Sequence, residues 1–142
     1  DINIQHFMPH EKDELFRHFE SVRSLAERKP ELGELSLRRD EEVLQIVDTT
    51  LRICPFFNYP ARLRYTLIPG REAALIQIRG GLREYRCVYR FSETEGGTAV
   101  DVRMVVKFPI GPAWLLARLI AGPLMKRKLR IEFKKLALLL QA

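Results

Sequence analysis

The chain has 142 residues, 46% of them hydrophobic and 30% charged, and a net charge of +6. That length and balance predict one folded domain of ordinary size and exclude a disordered chain. The charge is uneven: −4 over residues 1–42 (11 acidic, 7 basic) and +10 over residues 43–142 (7 acidic, 17 basic), which fits either a solvated basic face or a surface that meets something anionic.

In chain order, "INIQHFM" (2–8) alternates, with Ile2, Ile4, His6 and Met8 on one side, and predicts a strand. Pro9 ends it and suits the first turn of a helix. Leu15, Phe16, Phe19, Val22, Leu25 and Ala26 then have amphipathic helical spacing. Glu11, Asp13 and Glu14 near the start, and Arg28 and Lys29 near the end, suit the helix dipole. Pro30 stops this region, and a break near Ser21 to Ser24 fits as well as one continuous helix.

After Gly33 the period becomes two. Strands are predicted over 34–39, 42–53, 61–68, 73–79, 83–92 and 98–108. Asp40-Glu41, "CPFFNYP", "PGRE", Gly80-Gly81 and "ETEGGT" separate them. Ala61, Leu63, Tyr65 and Leu67 oppose Arg62, Arg64 and Thr66. Ile76 and Ile78 are assigned to the inward side of their strand. Tyr85, Cys87, Tyr89 and Phe91 oppose Glu84, Arg86 and Arg90. Val100, Val102, Met104, Val106 and Phe108 oppose Asp101, Arg103 and Lys107. One wet and one apolar face describe an antiparallel sheet covered on one side.

The remaining chain supplies the cover. Pro112 opens a helix, and Gly122-Pro123 predicts a stop and restart. Leu129, Phe133, Leu136 and Leu140 then form one apolar stripe, with Lys126, Arg127, Lys128, Arg130, Lys134 and Lys135 over much of the remaining surface. The apolar run 108–125 is short of the roughly 20 residues that span a bilayer. Three prolines and Arg118 interrupt it, and a charge at mid-membrane is costly. No basic-then-apolar signal segment opens the sequence. Cys54 and Cys87 form no CxxC pair, and two free thiols suit a reducing cytoplasm.

The order strand, helices, six strands, long helix resembles the helix-grip fold of the START-like (SRPBCC) superfamily. "RCVYRFSETEGGTAVDVRMVVKFPIGPAWLLARLI" carries the likeness: a strand ending in acidic residues, Gly96-Gly97-Thr98, a strand, then a Pro/Gly bend into an apolar helix. "KKLALLL" resembles the closing helix of the polyketide cyclase/dehydrase-like branch, and a coenzyme Q-binding-like branch is also compatible. The resemblance implies an α+β domain over 1–142, with a curved sheet of about seven strands around the last helix. It also implies a pocket between sheet and helix, for which a filled core is the alternative. The residues that would line the pocket are Tyr65, Leu67, Ile76, Ile78, Tyr85, Cys87, Tyr89, Val102, Met104 and Val106 from the sheet, and Trp114, Leu115, Arg118 and Leu119 from the helix.

Phosphate-loop, dinucleotide and nucleophile-elbow motifs are missing. The three histidines, all within the first 18 residues, do not share a helical face, so neither a metal site nor a cofactor is expected. Cys87 between two tyrosines reads as a buried structural thiol, since activation needs a nearby histidine or cation. Asp48 and Arg52, four apart on one strand, are weak catalytic candidates if that side is concave and solvent residues if it is convex. Arg118 either grips a ligand head group or snorkels to the rim. The loop "CPFFNYPAR" (54–62) is a pocket lid or a satellite core.

The leading expectation is binding or transport of a hydrophobic small molecule or lipid without catalysis. Docking to an anionic membrane through the basic helix would assist it. The alternative is a cyclase/dehydratase-type enzyme acting on a polyketide-like substrate, with Asp48, Arg52 and Tyr65 as candidate groups. Nucleic acid binding is disfavoured, because the convex arginines lack the aromatics on which bases stack. A cytoplasmic, peripherally membrane-associated protein is expected.

Overall fold

The computed structural model describes residues 1–54, 57–111 and 114–141, except the side chains of residues 54, 57, 114 and 116–118. The strands are β1 (Ile2–Met8), β2 (Ser36–Glu41), β3 (Leu44–Cys54), β4 (Phe57–Ile68), β5 (Glu72–Gly80), β6 (Glu84–Thr94) and β7 (Gly97–Lys107). They form one antiparallel sheet in the order β1-β7-β6-β5-β4-β3-β2. Short turns join β2 to β7 as a meander, and β1 closes against β7. The helices are α1 (Lys12–Phe16), α2 (Val22–Arg28) and α3 (Trp114–Gln141). The result is the α+β helix-grip arrangement, an open curved sheet holding one long helix.

The predicted break in the first helical region falls at Glu20-Ser21. A 3-10 turn, Arg17–Phe19, follows α1, and the Ser21 hydroxyl accepts from the Arg23 N–H to start α2. The β6–β7 turn uses the Gly-Gly pair. Gly96 has φ +83°, and a Cβ on Gly97 would lie 2.2 Å from the Met8 carbonyl oxygen. Gly97 thus lets the chain entering α1 cross the start of β7 at close range.

The register fixes which side chains face inward. Tyr65 lies opposite Leu75, Leu75 opposite Cys87, Cys87 opposite Met104, and Met104 opposite Ile2. All five are buried. The opposite set, Arg64, Ile76, Arg86 and Val105, runs across the convex face. This corrects the inward assignment of Ile76 and Ile78. Ile76 is cross-strand from two arginines, and Ile78 falls at the β4–β5 register shift and is 45% exposed. Both sides of β5 are apolar, so hydrophobicity alone could not choose between them. Its neighbours choose, and they turn Ala73 and Leu75 inward.

Two further expectations change. α3 runs unbroken through Gly122-Pro123. Its buried stripe of Ala121, Met125, Leu129, Phe133 and Leu136 continues on both sides of the proline, and that packing outweighs the local stop signal. The expected loop 54–62 is mostly strand: β4 starts at Phe57, and Leu51 pairs with Tyr59. Residues 55–56 of that loop lie outside the described residues.

Candidate functional site between sheet and helix

At the end of the sheet where β6 begins and β7 ends, a cleft of about 470 Å³ opens beneath the first half of α3. Ile2, Met104, Val106 and Phe108 form its sheet wall, Ala121, Gly122 and Met125 its helix wall, and Asp1, Arg83 and Lys107 its rim. Met104 and Met125, on facing walls, are its most deeply buried lining residues. Methionine suits that position, because an unbranched thioether can re-pack around a guest.

Next to this wall lies a group of buried charges. Cys87 is cross-strand from Met104, and Tyr85 from Val106. Lys29, following α2, is fully buried. Its ammonium donates to Glu132 Oε1 at 2.9 Å, to the Tyr89 hydroxyl at 2.8 Å and to Cys87 Sγ at 3.4 Å. It also pairs with Glu31 Oε2 at 3.2 Å. The Tyr89 hydroxyl donates to Glu132 Oε2 at 2.5 Å, and the Tyr85 hydroxyl donates to Glu31 Oε2 at 3.1 Å. Glu31 Oε1 is buried and accepts no hydrogen bond from any described residue. Arg28 points elsewhere. It donates to the His18 and Ser24 carbonyls and stacks 5.0 Å from the centre of the Phe19 ring. Tyr65 donates to the Phe19 carbonyl.

The electrostatics follow from this geometry. Burial pushes the Lys29 pKa down, but the charges around it, from Cys87, Glu132 and Glu31, more than offset burial and hold it well above the usual lysine range. Burial raises the Cys87 thiol to about 11, so at neutral pH the sulfur is protonated and the two carboxylates are what keep Lys29 charged. Burial likewise raises the hydroxyls of Tyr65, Tyr85 and Tyr89. At neutral pH Lys29 is therefore an ammonium among neutral tyrosines and a neutral thiol.

Of the residues predicted to line the pocket, Tyr65, Tyr85, Cys87, Tyr89, Val102 and Met104 are buried on the concave face, and Val106 packs there half-buried. Leu67 is on the same face but borders a different cleft, of about 650 Å³, with Phe16, Val43 and Pro69. Leu115 and Leu119 are 59% and 68% exposed. They lie off the buried stripe of α3, which begins at Ala121, so the expectation that they line the interior is corrected. The side chains of Trp114 and Arg118 lie outside the described ones.

Asp48 and Arg52 fall on the convex side, because Val47, Thr49, Leu51 and Ile53 take the buried positions of β3. Asp48 accepts from Arg62 Nε at 2.8 Å and from Arg38 Nε at 2.5 Å. Arg52 is exposed. The side-chain hydrogen bonds from Arg62 and Arg38 hold the Asp48 carboxyl down at about 2. Its folded value is therefore depressed, so its contribution to stability is present above the ordinary aspartate range and is lost as pH falls towards 2. A carboxyl-carbon NMR titration is expected to show Asp48 titrating near pH 2, and Arg62→Ala is expected to move the midpoint up towards the ordinary value. An unchanged midpoint would remove Arg62 as the cause.

Lys29, Glu31 and Glu132 were not among the predicted site residues. Glu132 could have been found: it sits three after Leu129 and four before Leu136, on the apolar stripe, where a carboxylate is out of place unless paired. Lys29 and Glu31 flank Pro30 outside any periodic pattern, and no local signal marks them as buried.

No protein-family model matches the sequence, and no curated protein is significantly similar to it. Solved structures do share its fold. TTHA0849 from Thermus thermophilus superposes with a TM-score of 0.80 at 14% identity, over 96% of this chain and 93% of that one. The Zhui aromatase/cyclase from Streptomyces sp. R1128 gives 0.72 at 12% identity, over 96% and 91%. The di-domain ARO/CYC StfQ from the steffimycin biosynthetic pathway gives 0.67 at 16%, over 92% of this chain and 48% of that one. The chain has the helix-grip fold of the START-like, polyketide cyclase-like proteins. At these identities the likeness extends to the fold and no further.

Proposed function

We propose that the protein binds a hydrophobic small molecule or lipid in the space between the sheet and α3. The observation that carries this reading is the cleft at that place, with apolar side chains on its sheet and helix walls, a charged rim, and buried polar groups cross-strand from its wall. Apolar walls with a few convergent polar groups are the usual make-up of a small-molecule site. A second reading, a cyclase/dehydratase-type enzyme acting on a polyketide-like substrate, draws on the Lys29, Glu132 and Tyr89 hydrogen bonds and on the fold shared with two aromatase/cyclases. Binding leads because those groups are already committed to one another. Lys29 is held protonated and Cys87 is held as a thiol, so neither is free to take a proton or attack a carbon at neutral pH.

The cleft lies close to apolar surface. Ile110, Leu115 and Leu119 are exposed around the start of α3. Further along α3, Lys126, Arg127, Arg130, Lys134 and Lys135 are exposed, while Glu132 is buried against Lys29. The charges that solvent meets on the described part of this helix are therefore all cationic, which supports docking at an anionic membrane surface as part of the same proposal. Among the described residues no helix is long and apolar enough to cross a membrane. Flotation with vesicles containing phosphatidylserine, diminishing as salt is raised, is the expected result, and salt-independent or absent flotation counts against docking.

The test of the binding reading is native mass spectrometry of the purified protein, followed by organic extraction. An apolar molecule carried through purification, in a stoichiometric complex, is the expected result. A bare chain that also fails to bind the neutral apolar fluorophore N-phenyl-1-naphthylamine overturns the reading.

A further inference from the structure

The buried charge cluster has an unfilled position, and its chemistry selects what can fill it. The inference rests on the binding proposal above. Glu31 is 1% exposed. Its Oε2 pairs with Lys29 and accepts from Tyr85, while Oε1 accepts from no described residue. A carboxylate oxygen kept from water without a donor is unfavourable, and folded proteins rarely leave one so. The cluster's other oxygens are all engaged: both of Glu132 and the hydroxyls of Tyr85 and Tyr89. The open position is therefore one acceptor.

Its place in the fold links it to the cleft. The Tyr85 hydroxyl holds Glu31, and Tyr85 lies cross-strand from Val106, a residue of the cleft wall. Met104, of the same wall, lies cross-strand from Cys87, a partner of Lys29. Two cross-strand pairs, Met104 with Cys87 and Val106 with Tyr85, thus join the cleft wall to the cluster. The charge there is one ammonium against two carboxylates. Arg28, also buried, donates to the His18 and Ser24 carbonyls, and its charge is felt at Glu132, so the cluster is close to balanced. What excludes a carboxylate here is hydrogen bonding: an ionised head group carries no donor for Glu31 Oε1 and sets acceptor against acceptor.

We propose that the ligand is a neutral apolar molecule whose leading end is a hydroxyl group, alcohol or phenol, which donates its hydrogen bond to Glu31 Oε1. Anionic lipids such as fatty acids are disfavoured at this position. Apolar area supplies affinity, and the single donor supplies selectivity.

The experiment compares 1-decanol with its methyl ether, 1-methoxydecane, as competitors of N-phenyl-1-naphthylamine on the full chain. The ether is the more apolar of the two, so a merely greasy cleft prefers it. The expected result is that decanol competes about tenfold better or more, the discrimination typical of a buried acceptor left without its donor. Decanoate is expected to compete worse than decanol. In Glu31→Gln the decanol-to-ether ratio collapses towards one. Tyr85→Phe keeps Glu31 and loses only a donor to Oε2, so it retains the ratio, and it decides the matter should Glu31→Gln fail to fold. Equal competition, or a preference for the ether, overturns the hydroxyl inference and leaves the binding proposal standing. Failure of the fluorophore and all three competitors to bind overturns both.

Discussion

Lys29→Met is expected to lower the unfolding free energy by about 3–5 kcal/mol, the usual result of removing one partner from a buried ion pair. The methionine fills much the same volume, so the loss is electrostatic. Glu31 and Glu132, both buried, would face each other's charge with only tyrosine hydroxyls to answer them. In the wild type the sign runs the other way. The Lys29 pKa is raised on folding, so its contribution is complete below the ordinary lysine range and is lost only as alkali removes the proton. Urea unfolding measures the difference directly. The triple variant Lys29→Met, Glu31→Gln, Glu132→Gln carries no buried charge at this place and should recover most of the lost stability. If it folds as well as the wild type but no longer distinguishes decanol from the ether, the cluster is kept for its ligand rather than for stability. If Lys29→Met costs less than about 1 kcal/mol, the size expected of an exposed pair, the triad is not desolvated as described.

The parts of this molecule that were legible in the sequence are those governed by a repeating pattern. Alternation in β4, β6 and β7 identified the buried face, and the register agrees at Tyr65, Cys87 and Met104. Leu129, Phe133 and Leu136 marked the inner side of α3. Where both faces of a strand are apolar, as at Ile76 and Leu75, period two says nothing about direction and the neighbouring strands decide. β3 shows the same limit with polar residues. Asp48 and Thr49 are equally unremarkable locally, yet Asp48 meets two arginines on the convex side and Thr49 is buried. The site was hardest to see because its polar members come from three distant places: Lys29 and Glu31 after α2, Tyr85 and Tyr89 on β6, and Glu132 on α3. Glu132 apart, each alone reads as an ordinary surface or core residue. Only the closing of the helix onto the sheet brings them within hydrogen-bonding distance.

Pro123→Ala is expected to stabilise the protein, by up to about 3 kcal/mol, because proline inside a helix removes one backbone hydrogen bond and crowds the preceding turn. Gly122→Ala should add about 1 kcal/mol, since glycine is the next poorest helix former and a Cβ there would meet nothing within 4 Å. The carbonyl left without its partner belongs to Leu119. Leu119 and Pro123 are both exposed, so water can satisfy that carbonyl and the cost stays bearable. The two weak positions are adjacent, and Gly122, with Ala121 and Met125, lines the cleft. The turn of α3 that propensity holds least firmly is therefore the one beside which a guest must pass. Thermal unfolding tests the first half of this argument: a higher Tm in Pro123→Ala supports it, and a lower one means that the fixed proline φ is needed for the path of α3 over the sheet. Stopped-flow uptake of N-phenyl-1-naphthylamine tests the second half. If yielding at this turn admits the guest, the stabilised Gly122→Ala, Pro123→Ala protein takes up the fluorophore more slowly than the wild type. An unchanged rate with a raised Tm would place the opening motion elsewhere, in the β3–β4 or β5–β6 ends that frame the same side of the sheet.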